Sequence, residues 1–284
     1  MRIAFLGFGE VAVAFSSALA ARGLEISAYD ILMDIPGGVE KLQARAGSKV
    51  TFSPLAEAVR GSDYIFSTVT TGVALDAARR CATQLLPHQY FVDLNATAPG
   101  LKAAIGEVVQ GAPARFVEGA LLGAVGVTGA KTEILLGGPH ARAAQRDLAG
   151  AMGMNARFYS EEIGKASTFK MLRSVFSKGM EALLVEFLVA GERAGIREDL
   201  WEEVTTLFAT QPFEKVAMNW VRTHSSAHAR RRDEMKQVAG VLRELGIEPT
   251  ITSATQALFE RSGRLGLTPA PTADDVIRFF NERL

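Results

Sequence analysis

The sequence predicts an α/β fold in which a doubly wound sheet is followed by an all-α C-terminal domain. Three observations carry this reading. Short apolar runs alternate with helical periodicities as far as residue 160. The first run ends in a glycine turn that opens a helix, the order found in nucleotide-binding sheets. From residue 161 onward the patterns are helical, with no strand alternation. At 284 residues and 48% hydrophobic content the chain exceeds the size at which single cores split, so the expected domains are residues 1–160 and 161–284.

Residues 2–6 read as a buried strand, and Gly7-Phe8-Gly9-Glu10-Val11-Ala12 leads into an alanine-rich helix that stops at Gly23. Gly7 permits the tight turn and Gly9 lets a pyrophosphate approach the backbone at the helix N-terminus. Ala12 is small enough for helix and strand to pack closely. The second strand, residues 25–29, ends in Asp30, where a carboxylate accepts hydrogen bonds from an adenosine ribose and repels a 2′-phosphate. This context predicts a Rossmann-type cofactor site built on Gly7, Phe8, Gly9, Glu10, Val11 and Asp30, with NAD favoured and NADP not excluded. The other reading of Asp30 is simply the start of a loop over residues 30–38.

A short helix over residues 39–46 and a strand over 49–52 follow, then a helix with Ser53 as its cap and Pro54 in first position. Strands at residues 64–69 and 91–94 flank a helix at 74–86, and Asn95-Ala96-Thr97-Ala98-Pro99 enters the next helix. In an open parallel sheet ligands collect beyond the carboxyl ends of the strands, which places Val69, Thr70 and Asn95 toward cofactor or substrate. Turn or cap duty is the alternative for Thr70 and Asn95. The sheet resumes at residues 115–121, passes a glycine-rich loop at 123–129 and a strand at 133–136, and closes with a helix at 139–152 and a strand at 157–159. Helices then fill the rest, broken near Gly195, Gly246, Pro249 and residues 269–271.

Residues 164–193 form one long predicted helix joining the two domains. Phe169, Leu172, Phe176, Met180, Leu183 and Phe187 recur at the spacing of a buried face. Ser167, Lys170, Ser174, Ser177 and Glu181 recur on another. A buried lysine costs several kcal/mol unless it is paired or neutralised, so it is rarely kept for packing alone. Lys170 is therefore either a solvated residue of a polar face or a group retained for chemistry.

Lys and Arg number 31 against 31 Asp and Glu, which argues against sequence-independent binding of nucleic acid or anionic membrane. Cys81 is the only cysteine, so an internal disulfide and a thiolate metal cluster are excluded and a reducing compartment fits. No apolar run approaches the ~20 residues of a transmembrane helix, and the glycines of the N-terminal run favour a strand over a signal peptide. The expectation is a soluble, cytoplasmic protein without a metal.

Four motifs in order resemble those of the β-hydroxyacid dehydrogenase and 6-phosphogluconate dehydrogenase superfamily. They are the dinucleotide turn at Gly7, Asp93-Leu94-Asn95-Ala96-Thr97-Ala98-Pro99, Glu118-Gly119-Ala120-Leu121-Leu122-Gly123-Ala124, and the helix start over residues 164–174. The resemblance covers nearly the whole chain and points to a divergent branch. It implies an NAD(P)-dependent enzyme that moves hydride to or from a small 3-hydroxy acid or related alcohol, with Lys170 as general acid/base. Ser174 and Asn95 would assist it, and Leu122 and Gly123 would face the substrate. Leu122 replaces the loop serine that usually holds a carboxylate, and Ser174 replaces the usual asparagine, so the substrate grip differs from the family's.

Two alternatives remain at this point: an imine reductase-like enzyme, whose relatives usually carry aspartate or tyrosine at the Lys170 position, and a non-catalytic NAD-binding sensor. The basic cluster at residues 224–232 has two readings as well. It is a solvated helix start paired with Asp233 and Glu234, or it supplies His228 and Arg231 to a polar substrate. Related enzymes bury the helical domain against a second copy, which implies a homodimer or dimer-based tetramer.

Overall fold

The computed structural model describes residues 1–46 and 49–284, and the chain divides into two compact units, Met1–Val175 and Phe176–Leu284. In the first unit, β1 (Arg2–Leu6) leads to α1 (Glu10–Ala21), β2 (Glu25–Tyr29), α2 (Gly38–Ala46), β3 (Val50–Phe52), α3 (Leu55–Arg60) and β4 (Tyr64–Ser67). Then come α4 (Ala74–Ala82), β5 (Tyr90–Asp93), α5 (Pro99–Gly111), β6 (Arg115–Leu122), a short α6 (Val125–Thr128), β7 (Glu133–Gly137), α7 (Ala141–Ala149) and β8 (Ala156–Ser160). The eight strands form one sheet in the order β3-β2-β1-β4-β5-β6-β7-β8. All neighbours are parallel except β6 and β7.

Because successive strand residues point to opposite faces, each strand feeds two cores. Ile3, Phe5, Tyr64 and Phe66 pack with Phe15, Leu19, Leu42 and Leu148 of α1, α2 and α7. Ala4, Leu6, Ile65 and Phe91 pack with Val59, Ala78 and Ile105 of α3, α4 and α5 on the other face. Burial on both faces explains why β1, β4, β5 and β7 read as continuous apolar runs. The doubly wound α/β reading holds.

Several local expectations are corrected. Ser53 does not cap α3: Pro54 stands at the cap, and no side chain satisfies the first N–H groups. The helix expected over residues 74–86 ends at Ala82, and that expected over 139–152 spans only Ala141–Ala149. The glycine-rich loop folds into a helical turn, α6.

The long helix α8 (Lys165–Ala194) runs from the first unit into the second, where α9 (Arg197–Thr210), α10 (Phe213–Glu244), α11 (Thr250–Arg264) and α12 (Ala273–Asn281) follow. The break between α9 and α10 at Pro212 was missed by the sequence reading, although a proline that cannot continue a helix is its signal. Carboxylates and guanidinium groups cap these helices. Glu186 accepts the backbone N–H groups of Ile251 and Thr252 at 2.8 and 2.9 Å, and Arg193 donates to the carbonyls of Leu245 and Gly246 at 2.8 and 2.6 Å. The supposedly buried face of α8 is only partly covered: Phe169, Met180 and Phe187 are half-buried, but Leu172, Phe176 and Leu183 are 65%, 57% and 46% exposed. Helical spacing places residues on a common face but does not supply what covers it. No helix among the described residues is long and apolar enough to cross a membrane.

Candidate active site

Two features converge at the carboxyl ends of the strands. The first is a cavity of about 470 Å³ around the glycine turn, lined by Gly7, Phe8, Gly9, Asp30, Val69 and Thr70 and, from α4, by Arg80. Gly7 has φ 80°, and a Cβ there would stand 2.8 Å from Val69 Cγ1 and 2.9 Å from the Thr68 carbonyl, so the position tolerates only glycine. A Cβ on Gly9 would meet nothing within 4 Å, and no side chain caps α1. The helix N-terminus therefore presents open space and free backbone donors, the fit a phosphate group requires.

Asp30 clamps this turn. Its Oδ2 accepts the Phe8 N–H at 2.7 Å and its Oδ1 accepts the Leu32 N–H at 2.9 Å, so each oxygen keeps one lone pair toward a ligand. The Phe8 side chain is buried against Phe5 and Phe52, leaving only its backbone to the cavity. Glu10 and Val11 do not line the cavity. Glu10 instead lies against Gly126 in a neighbouring cavity of about 580 Å³. Arg80 was not singled out from sequence; it donates to the Tyr29 hydroxyl at 3.0 Å.

The second feature is a row of buried polar residues across the sheet. Register pairs Ser67 with Asp93, the polar ends of β4 and β5, and Asp93 with Glu118 in the middle of β6, and all three are fully buried. Asp93 forms an ion pair with Lys102 of α5 at 3.0 Å. Asp93 Oδ1 accepts both the backbone N–H and the side-chain amide of Asn95, and that amide also donates to Ser67 Oγ at 2.8 Å. With its NH₂ engaged, the Asn95 carbonyl oxygen is left buried and unpartnered, as is the Thr97 hydroxyl. Asn95 thus stands at the head of this row and not in the cavity at the glycine turn.

Glu118 anchors α8. Its Oε2 accepts the Gly164 N–H at 2.6 Å, and its Oε1 accepts the Ser167 N–H at 2.7 Å and the Ser167 hydroxyl. Ser167, expected on a polar face, is buried by this contact. Lys170 follows one turn later, half-buried. Burial, and next the charge of Lys102, hold its pKa below the ordinary lysine value. Arg173, on the same helix, is exposed and is not among the causes. Ser174 is also exposed and donates its hydroxyl to the Lys170 carbonyl at 3.0 Å, a back-bond within the helix. Leu122 is half-buried at the end of β6, and Gly123 after it has φ 129°.

In the second unit the basic cluster lies within α10 and not at a helix start. Arg230 pairs with Glu234 at 3.0 Å and Arg232 with Asp233 at 2.8 Å, as the solvated reading expects. Arg231 donates to Thr223 Oγ1 at 2.9 Å and edges an apolar cavity of about 800 Å³ that also holds His224. His228 donates from Nδ1 to the His224 carbonyl at 3.2 Å and does not line that cavity.

A family model described as NADP oxidoreductase, coenzyme F420-dependent, matches residues 2–97, and one described as a domain of unknown function, DUF1932, matches residues 192–262. A conserved hypothetical protein from Sinorhizobium meliloti 1021 is 29% identical, with 100% of this chain and 97% of that one covered and a TM-score of 0.64. The conserved protein MTH1747, described as structurally similar to 3-hydroxyacid dehydrogenases, is 29% identical over 98% of this chain and 99% of its own, with a TM-score of 0.62. An imine reductase from Myxococcus stipitatus shares the fold, with a TM-score of 0.79, 16% identity and coverage of 98% and 99%. Over nearly its whole length, then, the chain resembles the 3-hydroxyacid dehydrogenase-like oxidoreductases, as its four motifs indicate, with a Rossmann-type unit followed by a helical one.

Proposed function

We propose that the chain is an NAD(P)-dependent oxidoreductase that interconverts a secondary alcohol, of the class of small 3-hydroxy acids and related alcohols, and its carbonyl form, with Lys170 as general acid/base. The observation that carries this reading is a half-buried lysine whose pKa is lowered, one helical turn beyond a buried anchor. Lysine is a poor base at neutral pH at its ordinary value of 10.5, and lowering it is what general-base duty requires.

Gly7, Gly9 and the open end of α1 would hold the dinucleotide pyrophosphate, and Asp30 the adenosine ribose. The imine reductase from Myxococcus stipitatus has been seen with NADP+, and a V8 variant of it with NAD+, which supports a dinucleotide of this class in the same fold. When bound, the nicotinamide supplies or accepts the hydride. Lys170 Nζ takes the hydroxyl proton as the carbon is oxidised and returns it in the opposite direction. The unpartnered Asn95 oxygen offers an acceptor that orients a donor group of substrate or cofactor. Leu122 supplies an apolar wall, so a carboxylate must be gripped elsewhere.

Lys170→Ala is expected to lower turnover about 10² to 10⁴-fold while leaving NADH affinity nearly unchanged. Retention of more than half the kcat excludes Lys170 as the base. Turnover of a panel of 3-hydroxy acids, amino-alcohols and cyclic imines separates alcohol from imine chemistry, and NADH binding with no turnover of any would leave a sensor.

A further inference from the structure

Besides the glycine turn and Asp30, the cavity of about 470 Å³ is lined by Ile31 from the loop after β2, Leu55 of α3, and Val73 and Ala77 at the start of α4. Ile31 and Val73 are 66% and 49% exposed, so the elements that meet here leave apolar surface uncovered. Three charged side chains among the described residues line the cavity as well: Asp30, Asp76 and Arg80. The two carboxylates are engaged. Asp30 accepts the Phe8 and Leu32 N–H groups, and Asp76 pairs with Arg79 at 3.1 Å.

Arg80 is exposed, one turn beyond Asp76 on α4, and it is held by a neutral group. Its Nη2 donates to the Tyr29 hydroxyl at 3.0 Å, and its guanidinium carbon stands 5.6 Å from the centre of the Tyr29 ring. The Tyr29 hydroxyl in turn donates to Asp34 Oδ2 at 2.9 Å, so Tyr29 links Arg80 to Asp34 without the two charges pairing. A guanidinium carries five N–H donors, and this contact uses one. The fork that grips a phosphate with two parallel hydrogen bonds is left to a ligand. Tyr29 closes β2 and Asp30 follows it, so the hydroxyl that steadies Arg80 and the carboxylate proposed to face the ribose stand at adjacent positions.

We propose that Arg80 is a specificity-determining residue of this cavity: its guanidinium receives a phosphate on the 2′ position of the adenosine ribose, so that NADP is admitted beside NAD. This rests on the reading of the cavity as a dinucleotide site. Asp30 still favours a 2′-hydroxyl, which can donate to it, and Arg80 reduces the penalty that the same carboxylate imposes on a 2′-phosphate. A guanidinium held by a hydroxyl keeps its charge for the ligand, whereas one paired with Asp34 would exchange one anion for another. No arginine occurs in the loop over residues 30–38, and Arg80 supplies the charge from α4 instead.

The test is equilibrium binding to the full-length chain, read by nicotinamide fluorescence for NADH and NADPH and by calorimetry for ADP-ribose and 2′-phospho-ADP-ribose, so no turnover is needed. Arg80→Met keeps an unbranched side chain against Tyr29 and removes the charge, and the position is exposed, so the fold should survive. NADPH and 2′-phospho-ADP-ribose should bind about 10- to 100-fold more weakly, the range of a lost charge-assisted hydrogen bond. NADH and ADP-ribose should stay within about threefold of the parent, because their ribose offers no phosphate to lose. Arg80→Lys, which keeps the charge but not the fork, should fall between parent and Arg80→Met for NADPH. An unchanged preference in Arg80→Met, whether both cofactors weaken alike or neither does, overturns the proposal. Gly9→Asp tests the underlying reading: a Cβ there meets nothing within 4 Å and the new side chain can cap α1, yet it sets a carboxylate where the pyrophosphate would lie. If Gly9→Asp binds both cofactors as the parent does, the cavity is not the dinucleotide site and both readings fall. If it binds neither and Arg80→Met leaves the preference unchanged, only the role of Arg80 falls.

Discussion

Glu118→Gln isolates the anchor that sets the start of α8. The carboxylate accepts three hydrogen bonds, from the Gly164 N–H, the Ser167 N–H and the Ser167 hydroxyl, in a fully buried setting. A glutamine amide accepts on one oxygen only. Its better orientation keeps Ser167 and turns the NH₂ toward the Gly164 N–H, so one bond is lost and two donors face each other. A hydrogen bond to a charged group contributes about 1.5–3 kcal/mol, and the surviving bonds lose their charge assistance, so the total is about 2–4 kcal/mol. At 2–4 °C per kcal/mol for a unit of this size, the expected fall in Tm is roughly 4–16 °C. Tyr29, Tyr64, Tyr90 and Tyr159 are all in Met1–Val175, and Trp201 and Trp220 are both in Phe176–Leu284. Near-UV dichroism of tyrosine therefore follows the first unit, and tryptophan fluorescence the second. The tyrosine transition should move and the tryptophan transition should move less. A tyrosine-monitored Tm within about 1 °C of the parent would refute the anchor.

The remaining expectations concern cofactor, pH and assembly. Asp30 at the cavity should make NADH bind more tightly than NADPH; titrations giving the reverse order would remove Asp30 as the determinant. His224 is held below its ordinary pKa of 6.5 by burial and then by His228 and Arg231, so the unfolded chain binds more protons between the two values. Its contribution to the second unit is complete above about pH 6.5 and is lost as pH falls through the lower folded value. Urea midpoints read by tryptophan fluorescence should show this loss, and His224→Gln should flatten it; identical pH dependence in both proteins would exclude His224. Val175, Leu172 and Phe176 are 73%, 65% and 57% exposed, a surface that a second copy would cover in a homodimer or dimer-based tetramer. Sedimentation showing only the 30.4 kDa monomer at micromolar concentration would count against that assembly.

The sequence by itself determined those features whose physics is local. A turn that needs φ above zero at Gly7 and no side chain at Gly9 leaves its mark in consecutive residues. A helix shows its faces by period, so Lys170 and the polar stripe of α8 could be named before any contact was known. Asp30 was legible because its place depends only on where the second strand ends.

Only the tertiary structure decided which groups meet across the sheet. Ser67, Asp93 and Glu118 form a buried row because parallel register aligns two strand ends with the middle of β6, three positions far apart in sequence. A polar residue closing the apolar runs of β4 and β5 and interrupting that of β6 was the visible trace, but it does not encode the pairing. Lys102, read in isolation, is one more lysine on a helix; its burial follows from β5 and β6 closing over it. The same distinction explains the error over α8. Periodicity reports that Leu172, Phe176 and Leu183 share a side, whereas burial depends on what lies opposite, and a single chain leaves that side open. Side-chain patterns are set within one element, but the charge environment of Lys170 is set between elements, where distance in space has no counterpart in distance along the chain.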